Sequence, residues 1–225
     1  MSALREDMLS VLPNTTTQAY SLSASGDPNG TLLDLSWVGV PNRNPNKTGD
    51  FVAIWQNPGS LPFGSAALNT QNVTDTTPDG DLPFMHLSLT TLPYVLAYSV
   101  GPDSTTFHNI AAVIPVGVGG SVGALQPTTI TLQWIGTRGV SCDYSTPIGT
   151  MPKTFGHSAV LVTGQTYDPV TSAPIATATP SDLQNDAISF GGVTMIAGQW
   201  YTAAYLAGSK PAQVAATVTF QVQQS

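Results

Sequence analysis

Apolar and polar residues alternate along most of this chain in short segments, which are separated by turns rich in Gly, Pro, Asn and Asp. A period of two is typical of β-strands with one buried face, whereas helical spacing is nearly absent. The alternation predicts strands over the following ranges: 18–24, 31–39, 50–56, 64–70, 84–90, 94–101, 107–116, 128–136, 157–163, 173–179, 187–196, 200–208 and 212–223. Short strands at this spacing predict an all-β fold of the sandwich type.

The N-terminus departs from this pattern. Four apolar residues share one face of a possible helix over 3–12, which would end before Pro13; they are Leu4, Met8, Leu9 and Leu12. No β-alternation extends through this segment. We therefore assign residues 1–17 to a short N-terminal arm.

The rest of the chain is a tandem repeat. YVLAYSVG at 94–101 matches YTAAYLAG at 201–208 with an offset of 107, and the same offset relates Gly49 to Gly156. A repeat of this length indicates two domains, each large enough to bury its own core. The predicted boundaries are 1–17 for the arm, 18–116 for domain 1, 117–127 for a glycine-rich linker or first strand of domain 2, and 128–225 for domain 2.

Upstream of Gly49 the match follows a different offset. LDLSWVG at 33–39 corresponds to ITLQWIG at 130–136, which is an offset of 97. The second copy is therefore predicted to carry ten additional residues before Gly156. The alternation around Trp37 and Trp134 predicts that both indoles are buried in the core.

Three of these stretches resemble a known superfamily. LDLSWVGVP resembles the B-strand signature of fibronectin type III and related immunoglobulin-like domains, while LTTLPYVLAY and MIAGQWYTAAY resemble the following turn and F strand. The resemblance implies two tandem immunoglobulin-like, or fibronectin-III-like, antiparallel β-sandwiches. It also implies that Tyr94 and Tyr201 lie at strand corners and hydrogen-bond backbone, and it implies no particular activity.

Composition narrows the possible partners. The formal charge is −7, the pI is about 4.4, and only 8% of residues are charged. This field repels nucleic acid and anionic lipid, and no uninterrupted apolar run is long enough to suggest insertion into a membrane. The N-terminus does not read as a Sec signal, and a Thr-rich, nearly neutral surface favours an extracellular or assembly-associated protein.

The largest difference between the two copies is the segment 137–155, predicted as a loop between the second and third strands. Recognition loops often lie at this end of immunoglobulin-like sandwiches. Four of its residues are the candidate ligand-binding set: Arg138, Asp143, Tyr144 and Lys153. The alternative is a decorated loop or an inter-domain contact.

A second candidate is an aromatic face on strand 50–56. Phe51 and Trp55 share one side of this strand, and Val52 and Ile54 share the other. If the aliphatic side faces the core, the aromatic pair is exposed and suited to stacking on a sugar or on a neighbouring subunit. Packing between the domains is the alternative.

Asp75, Asp79 and Asp81 form a carboxylate cluster that is a candidate calcium site. The pattern is not that of an EF-hand, and two of the positions recur as Asp182 and Asp186, so turn formation is the alternative. No other cofactor is indicated.

No catalytic motif is present. The three histidines lack metal-ligand spacing, and Cys142, the single cysteine, is predicted to be a free and inert thiol. We therefore predict a non-catalytic recognition protein that binds a glycan or a cell-surface protein. The alternative is a self-assembling subunit of a filament, coat or other large homo-oligomer, and a further one is an accessory domain pair that works beside an enzyme.

Overall fold

The computed structural model describes residues 8–9, 14–56 and 61–223, which form an antiparallel all-β structure. In chain order the strands are β1 Met8–Leu9, β2 Thr16–Ala19, β3 Ser21–Gly26, β4 Leu32–Val38, β5 Phe51–Trp55, β6 Asn69–Asn72, β7 Asp79–Met85, β8 Tyr94–Ser99, β9 Ile110–Val116, β10 Gln126–Pro127, β11 Thr129–Gly136, β12 Gly139–Ser145, β13 Ser158–Thr163, β14 Ala176–Ala178, β15 Asn185–Gly191, β16 Trp200–Leu206 and β17 Val214–Gln221. The described helical segments are α1 at Pro45–Thr48 and 3₁₀ turns at Val118–Gly120 and Pro211–Gln213. The helix predicted over 3–12 lies outside the described residues except for Met8 and Leu9, which are extended.

The strands form two sandwiches, which confirms the predicted tandem all-β architecture. In the first, the sheet β3-β4-β7 covers the sheet β10-β9-β8-β5-β6. In the second, β1-β11-β12-β15 covers β14-β13-β16-β17-β2. Each inner face is built from alternate residues of its strands, so the period of two in the sequence becomes a buried layer between sheets. No described helix is long and apolar enough to cross a bilayer.

A single offset of 107 relates the two sandwiches throughout. Leu32 begins β4 and Gly139 begins β12. These strands have equivalent places in their sheets, since β4 lies between β3 and β7, and β12 lies between β11 and β15. The predicted offset of 97, with its ten additional residues, is therefore wrong. ITLQWIG is β11, the first strand of the second sandwich, and not the equivalent of β4. Short apolar strands that carry a tryptophan resemble one another in sequence, so the local similarity of β4 and β11 led to a wrong alignment.

The sandwiches exchange strands. β2 leads into β3 of the first sandwich but pairs with β17 of the second, while β10 leads into β11 of the second sandwich but pairs with β9 of the first. The segment around 117–127 folds back along β9, where Gly123 donates its N–H to the carbonyl of Pro115 at 2.8 Å. Among the described residues, the two sandwiches are therefore joined by backbone pairing at two places, β2 with β17 and β10 with β9.

The corner tyrosines behave as the resemblance implied. The N–H of Ser88 donates to the hydroxyl oxygen of Tyr94 at 2.9 Å, and the N–H of Ile196 donates to that of Tyr201 at 3.1 Å. Both rings are buried. Each hydroxyl oxygen accepts a backbone N–H group in a turn, and this N–H group has no partner in a neighbouring strand.

Candidate functional site on an outer sheet face

Trp134 is exposed on the outer face of a sheet, whereas the alternation predicted it in the core. Its side chain is 39% exposed, compared with 2% for Trp37, which lies in the core as predicted. Ile130 is buried and Leu132 packs against the core, so strict alternation would bury Trp134 as well. A local irregularity in β11 must therefore turn the Trp134 side chain to the opposite face of the sheet.

That change is a β-bulge in β11. Leu132 lies opposite Cys142 in β12, but the next paired residue, Trp134, lies opposite Ser141, so Gln133 is additional. Beyond the bulge, Ile135 is the residue that points into the core. An additional residue in one strand shifts the side-chain alternation by one, and bulges commonly re-aim a side chain at functional sites.

The surroundings of the indole are polar. Ser141 lies opposite Trp134 in β12, and Ser189 lies opposite Ser141 in β15. The hydroxyl of Ser189 donates to Oγ of Ser141 at 3.2 Å. Asp143 is exposed two residues further along β12 on the same side. We call this surface the Trp134 face and define it by Gln133, Trp134, Ser141, Asp143 and Ser189.

Arg138 adjoins the Trp134 face. It lies in the two-residue turn that joins β11 to β12, since Gly136 pairs with Gly139 across it. Its carbonyl accepts the N–H of Gly192 at 3.0 Å, while its side chain is exposed. The structure thus places two of the predicted binding residues, Arg138 and Asp143, on the same sheet as an exposed indole.

Tyr144 does not belong to a loop. Residues 139–145 form β12, so the prediction of a solvent-facing loop is wrong for them. The Tyr144 ring is buried 5.3 Å from the ring of Tyr205, and its hydroxyl donates to the carbonyl of Leu183 at 3.1 Å. Its equivalent in the first sandwich, at the offset of 107, is Trp37. The alternation of Val140, Cys142 and Tyr144 was the signal for this strand.

Lys153 lies in the part of 137–155 that is a loop. The neighbouring Thr154 donates its N–H and its hydroxyl to Asp182 at 2.7 and 2.9 Å, and these contacts lower the pKa of Asp182. Lys153 is exposed, and the whole of β12 separates it from the turn that carries Arg138. The structure therefore does not bring Lys153 to the Trp134 face.

Phe51 and Trp55 are buried, so the predicted exposed aromatic pair is wrong. Val52 and Ile54 face the sandwich core, but the opposite side of β5 is covered as well. The ring of Phe107 packs edge-on against both aromatic rings, at 6.0 Å from Phe51 and 4.8 Å from Trp55. Alternation identifies the two sides of a strand, but not a loop that folds over one of them.

The carboxylates of Asp75, Asp79 and Asp81 do not converge. Within the described ranges, no three His, Cys, Asp or Glu residues are grouped so that they could hold a metal ion. Asp79 and Asp81 are exposed on β7. In the second sandwich the equivalent Asp186 accepts a hydrogen bond from Ser181 Oγ at 2.6 Å, which favours the alternative that these aspartates shape turns.

Cys142 is enclosed in the core opposite the Trp134 face. Burial raises the pKa of its thiol to about 12, with a smaller contribution from Asp143. The thiolate is the nucleophilic form of cysteine, so this side chain is unsuited to nucleophilic chemistry at neutral pH.

Two open clefts lie elsewhere and are lined mostly by residues of the second sandwich. One has a volume of about 470 Å³, and its lining includes two exposed apolar side chains, Met151 and Leu183. We call it the Leu183 cleft; it is lined by Gly149, Thr150, Met151, Asp182, Leu183, Gln184 and Asn185. The other, of about 570 Å³, is polar, but its carboxylate, Asp168, already accepts hydrogen bonds from Val170 N–H and Thr171 Oγ1, both at 2.8 Å.

Comparisons with known proteins give no family assignment. No protein family and no curated protein matches the sequence. Among solved structures, Salmonella alpha-2-macroglobulin matches over 91% of this chain at 13% identity and a TM-score of 0.29, and chicken CNTN1 FN1-FN3 domains match over 90% at 12% identity and a TM-score of 0.28. The chain spans 16% and 64% of the lengths of these two proteins. At these scores the fold assignment rests on the strand order of this chain alone.

Proposed function

We propose that this chain is a non-catalytic recognition protein whose Trp134 face binds a glycan. The observation that carries the proposal is the bulge at Gln133, which turns a tryptophan from the core to the surface of a sheet. Exposing a large aromatic side chain forfeits the stabilisation that its burial would provide, roughly 2–3 kcal/mol. A binding role for the exposed ring best explains why β11 has this bulge.

The chemistry of the Trp134 face fits a sugar. An indole presents a flat apolar surface on which the C–H face of a pyranose ring can stack. Around it, the carboxylate of Asp143 accepts hydrogen bonds, the guanidinium of Arg138 donates them, and the Ser189 hydroxyl does either. Sugar rings carry hydroxyl groups at their edges and apolar C–H groups on their faces, so they match an aromatic centre with a polar rim.

Trp134 is also specific to the second sandwich. At the offset of 107 its equivalent is Asp27, whose carboxylate accepts the N–H groups of Thr31 at 2.6 Å and Leu32 at 2.7 Å. Asp27 therefore shapes a turn that the scaffold needs, whereas Trp134 makes no such hydrogen bond to any of the residues that the structure describes. A feature present in only one of two copies is a candidate for a specific function.

The resemblance to fibronectin-III-like domains and the low-charge surface suit recognition outside the cell. The buried Phe51 and Trp55 leave Trp134 as the tryptophan whose ring is most available for stacking among the described residues. This concentrates the proposed contact on one sheet of the second sandwich.

The experiment is a glycan array probed with the full chain, followed by titration of any hit with Trp134→Ala and Trp134→Phe. We expect Trp134→Ala to weaken binding at least tenfold, corresponding to about 1.4 kcal/mol, and Trp134→Phe to restore part of it. Asp143→Asn and Arg138→Gln should weaken binding further without changing the melting temperature. Leu183→Ala, which lies outside this face, is the matched control and should bind normally.

Absence of any glycan hit, or unchanged binding by Trp134→Ala, would reject the proposal. If a hit is lost in Leu183→Ala but not in Trp134→Ala, the ligand binds at the Leu183 cleft instead.

A second candidate function, self-assembly, is favoured by the Leu183 cleft itself. Met151 and Leu183 place two large exposed apolar side chains in the lining of one open depression, and exposed apolar groups that lie together mark protein contacts. Light scattering and electron microscopy of the purified chain would show large particles that dissociate in Leu183→Ser. A monomer at high concentration would count against assembly.

A further inference from the structure

In each sandwich a buried polar side chain holds the equivalent loop of the other sandwich. In the second sandwich, His157 donates its Nε2–H to the carbonyl of His108, in the loop between β8 and β9 of the first, at 2.7 Å. In the first sandwich, Arg43 donates from Nη1 to the carbonyl of Ala212, in the loop between β16 and β17 of the second. We call these contacts the His157 clasp and the Arg43 clasp.

The His157 ring is fully engaged in its neutral form. Its side chain is buried, and Nδ1 accepts a hydrogen bond from the hydroxyl of Tyr205 at 3.1 Å. Because the His108 carbonyl is an acceptor only, Nε2 must carry the proton, which leaves Nδ1 as the acceptor. Both ring nitrogens are therefore satisfied without a charge.

The Arg43 clasp is charged, but its charge is balanced. Arg43 and Asp50 form an ion pair with both side chains fully buried, and the carboxylate also accepts from Tyr98 and from the N–H of Gly101. A buried cation with a hydrogen-bonded carboxylate partner is electrostatically satisfied.

The His157 clasp has no such partner. The titratable groups that face His157 among the described residues are Tyr205 on β16 and His108 on the facing loop, and neither is a carboxylate. Phe155, 6.3 Å away ring to ring, shields it on another side and stacks on the His108 ring at 3.9 Å. A proton on His157 would create an unpaired buried cation beside a second imidazole.

We propose that the His157 clasp is an acid-sensitive contact between the two sandwiches: protonation of His157 releases the loop 102–109 while the Arg43 clasp and the exchanged strands hold. Release would expose the stacked rings of His108 and Phe155. The chain would thus open on one side at acidic pH instead of dissociating.

The direction of the pH effect follows from burial, which lowers the pKa of His157 to about 4 from an ordinary value of 6.5. Between these values the open form binds more protons than the closed form, so closure is complete above about pH 6.5 and weakens as the pH falls toward 4. A difference of this size corresponds to a change of roughly 300-fold in the ratio of closed to open forms.

The test is hydrogen exchange of the full chain at pH 7.0, 5.5 and 4.5, corrected for intrinsic rates. We expect protection to fall selectively at 102–109 and 155–158, and to persist at 41–50 and 207–213 around the Arg43 clasp. The glutamine in His157→Gln supplies one donor and one acceptor but does not titrate. In this variant, protection from hydrogen exchange at 102–109 and 155–158 should therefore not change with pH. His108→Gln should remain pH-dependent, because His157 uses only the backbone carbonyl at that position.

The proposal is overturned if protection is independent of pH, if His157→Gln shows the same dependence as the native chain, or if both clasps lose protection together. Should His157→Gln fail to fold, NMR titration of the native chain replaces it. A His157 resonance that titrates at the ordinary histidine value of about 6.5, without spectral change at residues 102–109, would equally reject the idea.

Discussion

Asp50 and His157 occupy equivalent positions in the two sandwiches. Each accepts a hydrogen bond from a tyrosine of the neighbouring strand, and these two tyrosines are also equivalent. Tyr98 donates to the Asp50 carboxylate and Tyr205 donates to Nδ1 of His157, both at 3.1 Å. One scaffold position thus carries a charged centre in the first sandwich and a neutral one in the second. The two halves should therefore differ in their response to mutation and to pH.

Removing one member of the buried ion pair should be severely destabilising. In Asp50→Leu, Arg43 remains buried without a counter-charge, so we expect the free energy of unfolding to fall by about 3–5 kcal/mol. The double variant Arg43→Met/Asp50→Leu buries no charge and should recover a substantial part of this loss. Urea denaturation of the single and double variants measures the coupling energy between Arg43 and Asp50. Losses in the free energy of unfolding that simply add in the double variant would contradict the prediction.

Two adjacent glycines provide a test of backbone strain. Gly192 has a φ of 78°, which disfavours any side chain, whereas Gly191 has no positive φ, and an added Cβ there would meet nothing within 4 Å. We expect Gly192→Ala to lower the free energy of unfolding by about 1–2 kcal/mol and Gly191→Ala to leave it nearly unchanged. Thermal melts of both variants decide this, and a Gly192→Ala variant as stable as the native chain would show that the turn tolerates a side chain.

The Cys142 thiol should be almost unreactive in the folded chain. Its pKa of about 12, against 9.0 for an ordinary thiol, lowers the thiolate fraction at neutral pH by roughly a thousandfold. Modification by a disulfide reagent should accordingly be slow in buffer and fast in denaturing urea. Comparable rates in the two conditions would mean that the core around β12 opens readily.

Loss of β2 should weaken the second sandwich, although β2 belongs to the first in sequence. A variant that begins at Tyr20 leaves the edge of β17 without its partner over Ala216–Thr219. We expect the free energy of unfolding to fall by about 3 kcal/mol, from several lost backbone hydrogen bonds, and the exposed edge to promote association.

The truncation also removes β1, so a variant that lacks residues 1–13, which loses β1 but keeps β2, is the control. Denaturation together with light scattering separates the loss of stability from association. A monomeric and fully stable Tyr20 variant would show that the pairing of β2 with β17 contributes little.

Sequence reasoning located part of the candidate site. Arg138 and Asp143 lie beside Trp134, but Tyr144 is in the core and Phe51 and Trp55 are covered. Tyr144 was misplaced because the second copy was aligned with the wrong strand: keeping the offset of 107 through the whole chain would have paired Trp37 with Tyr144 and Trp134 with Asp27. The bulge itself has no local signature, because one additional residue is visible only against the register of the neighbouring strand.

The sequence by itself determined the all-β class and the repeat, because alternation and short turn motifs act over a few residues and recur in both copies; the corner role of the two tyrosines came from the resemblance to fibronectin-III-like domains. Only the tertiary structure decided which strands cross between the sandwiches, which side of β5 is covered, and where Trp134 points. These features depend on contacts between residues far apart in the chain. A period of two defines the two sides of a strand, but the protein surface is defined by what packs against each side.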